Sequence, residues 1–292
     1  MISFKYVSVK ENVNRLIGGR ECGMRTDSVS DISKRQTMSG EYHRAKKSLG
    51  QNFLVDDNVC RRIAEAVCRQ PGDRCIEIGP GKGAITRFIM DCVDEYRVIE
   101  RDDELADRLE EYPELDVVRM DALRYPWQDL DDSWKIAGNL PYNIGSKLIW
   151  DIVSLTGCHC VFMVQHEVAL RLTADPGSRQ YGALTAWVNN FATTKYLFKV
   201  PPTVFRPKPK VDSAVVEFVP LPPRERPEEP GKLADLLHMC FQKRRKQLGN
   251  ILKSKMNDRV SAWFQEGEAK VTDRPENLTP MMFRELSTLV FS

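Results

Sequence analysis

From about residue 46 onward, the chain alternates short apolar runs with segments of helical periodicity. Val59, Ile63, Ala66 and Val67 fall on one face of a helix predicted over 59–68, and Asp56, Asp57 and Asn58 before it can cap its start. Pro71-Gly72-Asp73 turns the chain into a strand over 74–78, followed by the turn Gly79-Pro80-Gly81-Lys82-Gly83 and an apolar helix over 84–90. A strand over 96–100, a helix over 103–111 and a strand over 115–120 come next, then a loop over 125–132. The short apolar run 135–138 reads as a buried strand ending at Gly138. Beyond it the pattern predicts a helix over 144–153, a nearly all-apolar strand over 158–164, a helix over 168–174, and strands over 193–200 and 213–219. Such alternation predicts an α/β fold with a parallel, doubly wound sheet. Residues 220–231 have the composition of a linker, and everything after them reads as helical, ending in a helix over 280–290 capped by 274–279. The expected division is a basic, flexible tail (1–45), an α/β domain (46–222) and a small all-helical domain (223–292).

At 292 residues, with 42% hydrophobic and 29% charged positions, the composition is that of a globular protein with one large and one small domain. The longest apolar run, 160–164, is too short to cross a bilayer, which points to the cytoplasm. A net charge of +2 means that any attraction to nucleic acid comes from the distribution of charge. The eight cysteines show no paired CxxC spacing and mostly sit in apolar segments, as reduced thiols do. Cys158-His159-Cys160 is the one metal-like cluster, but strand alternation turns His159 away from both thiols, so no metal is expected. The tail lacks periodicity and carries Lys34, Arg35, Arg44, Lys46 and Lys47 at its far end. It reads equally as a flexible arm for RNA or as upstream sequence from an early start codon, with Met24 or Met38 as later starts; its acidic residues argue against a targeting presequence.

Candidate chemistry gathers at strand ends. A strand, a Gly-rich turn and a helix form a nucleotide-binding arrangement, and no Lys-Ser or Lys-Thr follows the last Gly as in a phosphate-binding Walker loop. The next strand ends in Glu100, at the spacing from which a carboxylate reaches ribose hydroxyls. Glu77 is expected to be a structural acid that orders the Gly turn. Asp121 can accept a hydrogen bond from an adenine amine or serve as a turn or cap residue. Asn139-Leu140-Pro141-Tyr142 combines two oxygen acceptors, a rigid bend and an aromatic face, and reads as a clamp for a planar base, or as a simple strand-to-turn junction. His166 is expected to be a surface or cap residue. The loop 175–182, flanked by Arg171 and Arg179, reads as RNA-facing or merely solvated. The segment 201–210 interleaves prolines with Arg206, Lys208, Lys210 and Phe205, suggesting a stiff projecting loop that contacts phosphates and stacks on a base. Lys243, Arg244, Arg245 and Lys246 are expected on a helix face that tracks a phosphate backbone, with Leu248, Ile251 and Leu252 on its buried side.

Taken in order, the marks Gly50-Gln51-Asn52-Phe53-Leu54, Glu77-Ile78-Gly79-Pro80-Gly81, Val98-Ile99-Glu100, Asp121-Ala122 and Gly138 to Ile144 resemble the small-subunit ribosomal RNA adenine dimethyltransferases of the KsgA type. Pro207 to Ser213, Arg244-Arg245-Lys246 with Leu248, and Arg274-Pro275-Glu276 extend the resemblance from about residue 46 to the C-terminus. It implies a Rossmann-like class I methyltransferase fold. It also implies that S-adenosyl-L-methionine is bound by Gln51, Asn52, Leu54, Gly79, Gly81, Glu100, Asp121 and Asn139, with the 51–54 segment folded over the methionine part. Asn139, Leu140, Pro141 and Tyr142 would hold a flipped adenine. The implied substrate is two adjacent adenines in the 3′-terminal hairpin of small-subunit RNA, each methylated twice during subunit biogenesis, by a monomer that meets pre-30S particles and no membrane. Two departures are Lys82, where an apolar residue is common, and Ala183, where a basic one is usual. The rivals are a large-subunit methyltransferase of the macrolide-resistance kind, disfavoured by 242–248 and 274–276, and a non-catalytic RNA-binding factor derived from this fold, disfavoured by the intact Gly turn and Asn139 to Tyr142.

Overall fold

In the computed structural model, residue 46 and residues 50–292, except 69 and 71, are described; they fall within one unit, 45–292. The tail expected over 1–45 lies outside the described residues.

A short strand, β1 (Phe53–Leu54), precedes helix α1 (Asp57–Val67), where the Asp56 carboxylate accepts from the Val59 N–H at 3.0 Å. Cys60, Ile63, Ala64 and Val67 recur at helical spacing and are buried. Then β2 (Arg74–Ile78) enters the sheet with four consecutive buried residues, as a central parallel strand covered on both faces must. The helix after the Gly turn, α2 (Thr86–Ile89), is shorter than expected, because residues 81–85 stay in the turn and the chain tightens into a 3₁₀ turn at Met90–Cys92. Next come β3 (Glu95–Glu100), α3 (Asp103–Leu109), β4 (Leu115–Arg119), β5 (Trp134–Asn139), α4 (Gly145–Leu155), β6 (His159–Gln165) and α5 (His166–Leu172). A helix absent from the sequence expectation, α6 (Ala183–Val188), leads to β7 (Ala192–Val200), β8 (Phe205–Arg206) and β9 (Ser213–Pro220).

The main sheet has the order β4-β3-β2-β5-β6-β9-β7, parallel from β4 to β6, with β9 antiparallel to both β6 and β7. From β2 the chain runs outward through β3 and β4, then returns to the other side of β2 to form β5. The reversal places the carboxyl ends of β2 and β5 side by side, with Ile78 opposite Gly138. Such a switch point leaves a crevice above the strand ends. The strands approach so closely there that a Cβ on Gly138 would lie 2.8 Å from the Ile78 carbonyl oxygen.

After Pro220 come α7 (Pro230–Gln242), α8 (Leu248–Ile251), α9 (Asp258–Glu266) and α10 (Pro280–Val290), the last capped by the Thr279 hydroxyl on Met282 N–H. Leu233, Leu236, Leu237, Leu248 and Phe283 belong to the same apolar cluster as Trp187, Ile152 and Phe162, so the helices share the core of one sheet face. The basic run does not occupy a helix face. Lys243 to Lys246 form a turn between α7 and α8, because Lys243 leaves helical geometry and Lys246 N–H bonds the Lys243 carbonyl. Among the described residues, no helix is long and apolar enough to cross a membrane.

Candidate active site

A cleft sits above the carboxyl ends of β2, β3 and β5, bordered by the 50–54 segment, Glu77 to Lys82, Glu100, Asp121 and Asn139 to Ile144. Its empty volume, including the part open to solvent, is about 1110 Å³, room for a nucleoside-sized ligand and a second planar group.

On one side is the Gly turn. Gly79, Gly81 and Gly83 all have positive φ (63°, 59° and 74°), which side chains rarely adopt. A Cβ on Gly81 would meet the Phe53 ring at 3.1 Å, whereas one on Gly79 would meet nothing within 4 Å, so the bare face of Gly79 adjoins open space. The turn is tied by Glu100: its carboxylate accepts from Gly81 N–H at 3.2 Å and from the N–H groups of Arg101 and Asp102 at 2.8 and 2.9 Å. Burial raises its pKa above the ordinary value, and these backbone donors pull it back down. Glu77 does not tie the turn as expected. It is buried, and one of its carboxylate oxygens accepts from the hydroxyls of Thr86 (2.7 Å) and Tyr96 (2.6 Å), fastening α2 to β3 across β2. Burial lifts it to about 7 against both hydrogen bonds. Asp121 accepts from Leu123 N–H at 3.0 Å as the cap of a 3₁₀ turn, pairs with Arg101 at 3.1 Å and borders the cleft, so both of its readings meet at one side chain.

On the other side, β5 ends in Asn139. Its Nδ2 donates to the Asn52 carbonyl at 3.0 Å, which leaves Oδ1 as an acceptor without a partner among the described residues. Leu140 N–H donates to Met163 C=O at 3.1 Å, and the buried Leu140 side chain packs against the positions where Gly138 and Gly145 lack a Cβ. The Leu140 carbonyl accepts no hydrogen bond among the described residues. The Tyr142 hydroxyl shares a 2.7 Å hydrogen bond with the buried Ser213 hydroxyl of β9, which fixes the ring's position; sequence reasoning had no signal for this pairing. Burial raises the Tyr142 phenol.

The 50–54 segment closes over the cleft. Gln51, expected at the cofactor, also borders it, but its amide is engaged elsewhere: Nε2 donates to the Asp102 carboxylate at 3.0 Å and Oε1 accepts from Lys46 N–H at 2.8 Å. The Lys46 ammonium pairs with the same buried Asp102 at 2.7 Å, which pins this part of the chain beside β3. Asn52 donates to Gly50 C=O at 3.1 Å, and Leu54 is buried beneath the cleft, in β1.

The expected RNA residues divide. Arg206, Lys208 and Lys210 are exposed, but Phe205 is fully buried, because β8 pairs antiparallel with β1 and alternation turns it inward; the expected base contact from Phe205 is corrected. Lys243, Arg245 and Lys246 are exposed on the turn. Arg244 is instead a brace: it pairs with Glu276 at 2.6 Å and donates to the Arg179 carbonyl at 2.8 Å, holding the 175–182 loop, whose Gly177 N–H also bonds Glu276 C=O. His166 begins α5 and lies edge-on to Tyr196. His159 meets Glu217 of β9 at 2.8 Å, while Cys158 and Cys160 enter the core of the opposite face.

The family profile described as ribosomal RNA adenine dimethylase matches residues 42–287. The chain belongs to this family. Among curated relatives, the ribosomal RNA small subunit methyltransferase A of Maridesulfovibrio salexigens is 54% identical over 248 residues, covering 84% of this chain and 95% of that protein. Its namesake from Oleidesulfovibrio alaskensis is 47% identical over 258 residues, covering 85% and 92%. Among solved structures, a dimethyladenosine transferase from Plasmodium falciparum superposes with TM-score 0.65 at 24% identity, covering 80% of this chain and 95% of that one. The 23S rRNA methyltransferase ErmE gives TM-score 0.60 at 25% identity, covering 82% and 100%. Both neighbours share the Rossmann-like class I methyltransferase fold with this adenine dimethylase family member.

Proposed function

We propose that this family member transfers methyl groups from S-adenosylmethionine to the exocyclic nitrogen of two adjacent adenines in the 3′-terminal hairpin of small-subunit ribosomal RNA, dimethylating each. The observation that carries this reading is a single cleft that joins the Gly turn and acid-tipped β3 to Asn139-Leu140-Pro141-Tyr142 across adjacent strand ends. The open face of Gly79, the backbone-anchored Glu100 and the neighbouring Asp121 suit the turn, ribose and adenine of a nucleoside cofactor. Gly81, Asn52, Leu54 and the backbone around Gln51 would complete that side, with Asn139 at its boundary. When bound, the cofactor supplies a methyl group on an electrophilic sulfonium.

The protein's own part is alignment. Asn139 Oδ1 and the Leu140 carbonyl, both acceptors, take the two hydrogens of an adenine amine, drawing the nitrogen out of conjugation so that its lone pair can attack in line. Pro141 fixes the bend that presents them, and the Tyr142 ring, held by Ser213, stacks on the extruded base. Each transfer breaks the methyl–sulfur bond of the sulfonium, leaves a neutral thioether and releases one amine proton to solvent, since neither acceptor is a base; a singly methylated amine still has one hydrogen to give, so a second transfer uses the same machinery. Arg206, Lys208, Lys210, Lys243, Arg245 and Lys246 would steer and hold the RNA from two sides. The names of the similar curated proteins support the small subunit over the large one, and the enzyme would act as a monomer on pre-30S particles in the cytoplasm.

The test is transfer of labelled methyl groups to purified small and large subunits from cells lacking this gene, with primer-extension stops reporting the position. Product on the large subunit alone would overturn the reading. Asn139→Ala and Tyr142→Ala are expected to lower transfer by about a hundredfold or more while leaving RNA affinity nearly unchanged.

A further inference from the structure

Three carboxylates border the cleft, Glu77, Glu100 and Asp121, and two cations, Lys82 and Arg101. Arg101 is spent on Asp121. Lys82 pairs with no carboxylate among the described residues, unlike Lys46, Lys135, Lys147, Lys199 and Lys232, each held by an acid within 2.9 Å. Instead its ammonium lies 5.1 Å from the centre of the Phe53 ring. That ring in turn packs against the bare face of Gly81, whose N–H is tied to Glu100. Lys82 is therefore held at the rim by an aromatic face, beside the Gly turn and under the 50–54 segment, with its charge directed to no protein anion.

We propose that Lys82 is the counterion for the carboxylate of the cofactor's amino-acid end. This rests on the assignment of S-adenosylmethionine to the cleft and adds a partner for the cofactor's carboxylate, which that assignment leaves unmatched. The cofactor carries a ribose diol, which the backbone-anchored Glu100 suits, and a single carboxylate, which none of the three acids can receive. Lys82 is the cation at the cleft not already neutralised, and its ammonium, exposed at the rim, rests over the Phe53 ring that borders the cleft. Lys82 is thus a positioning residue for the methyl donor rather than a participant in the transfer.

The experiment is calorimetric binding of S-adenosylhomocysteine and of its carboxamide, which lacks the negative charge, to the full chain and to Lys82→Met and Lys82→Arg. In the wild type, the carboxamide should bind more weakly than the acid. In Lys82→Met, the acid should lose about fivefold in affinity, as an exposed charge pair contributes, and the carboxamide should be unchanged; Lys82→Arg should retain the preference for the acid. Equal loss for both ligands, or loss for neither, overturns the proposal. A fall in affinity for small-subunit RNA with no change for S-adenosylhomocysteine also overturns it, by showing that Lys82 serves a phosphate. Failure of the wild type to bind either ligand overturns the cofactor assignment itself, and the proposal with it.

Discussion

Glu77 offers a test of the site's electrostatics that does not depend on turnover. The residue is 1% exposed, and burial raises its carboxyl group from an ordinary 4.5 to about 7 even though Thr86 and Tyr96 both donate to one oxygen. In the unfolded chain the group releases its proton near 4.5; in the native protein it holds the proton until about 7. Between these values the native state binds more protons than the unfolded one, so stability falls as pH rises. The favourable contribution is complete below the lower value and gone above the upper one. The gap corresponds to about 3 kcal/mol. Glu77→Gln keeps the size and an acceptor for both hydroxyls but does not titrate. Urea unfolding of both proteins, from about pH 5 to about pH 8.5, should therefore show the glutamine variant gaining on the wild type by most of that amount, with other titrating groups cancelling in the difference. A difference that stays flat across this range would refute the reasoning.

Gly138→Ala should force β2 and β5 apart at their tips, since the new Cβ would lie 2.8 Å from the Ile78 carbonyl oxygen. A loss of about 1–3 kcal/mol in urea unfolding is expected, with initial rates of methyl transfer falling further than stability explains. Arg244→Ala should destabilise the fold by about 1–2 kcal/mol, because Glu276 and the Arg179 carbonyl lose their donor, and should leave the salt dependence of RNA binding nearly intact. Replacing Lys243, Arg245 and Lys246 together by Gln should do the reverse, flattening the salt slope of RNA binding with stability changed by less than about 0.5 kcal/mol per site. Tyr142→Phe removes the Ser213 hydrogen bond but keeps the ring, so it should cost about 1 kcal/mol in stability and retain far more transfer than Tyr142→Ala, measured under identical conditions.

Local chemistry made most of the α/β frame readable before any coordinates. Consecutive apolar residues in 160–164 signal a strand buried on both faces, Asp56 and Thr279 announce their helices, and closely spaced glycines mark a turn that needs positive φ. Each of these effects acts within a few residues, so the chain spells it out. Adjacent strand tips at Gly79 and Asn139 also follow from the order of elements, once the sheet reverses direction between β4 and β5.

Partnership across long separations was not readable in this way. From the sequence Glu77 reads as the acid that orders the turn and Glu100 as a ribose ligand, yet folding ties the turn to Glu100 and gives Glu77 to Thr86 and Tyr96. Arg244 cannot be told from its basic neighbours until Glu276, 32 positions away, captures it. Phe205 looks exposed amid prolines and bases until pairing with β1 turns it inward, and Gln51 looks like a ligand residue until Asp102 takes its amide. Periodicity reports which face of an element is apolar; it carries no information about which distant group will satisfy a given charge or hydrogen bond. That choice is made by the close packing of elements brought together from remote parts of the chain, and here it separates the residues that face the cleft from those that build it.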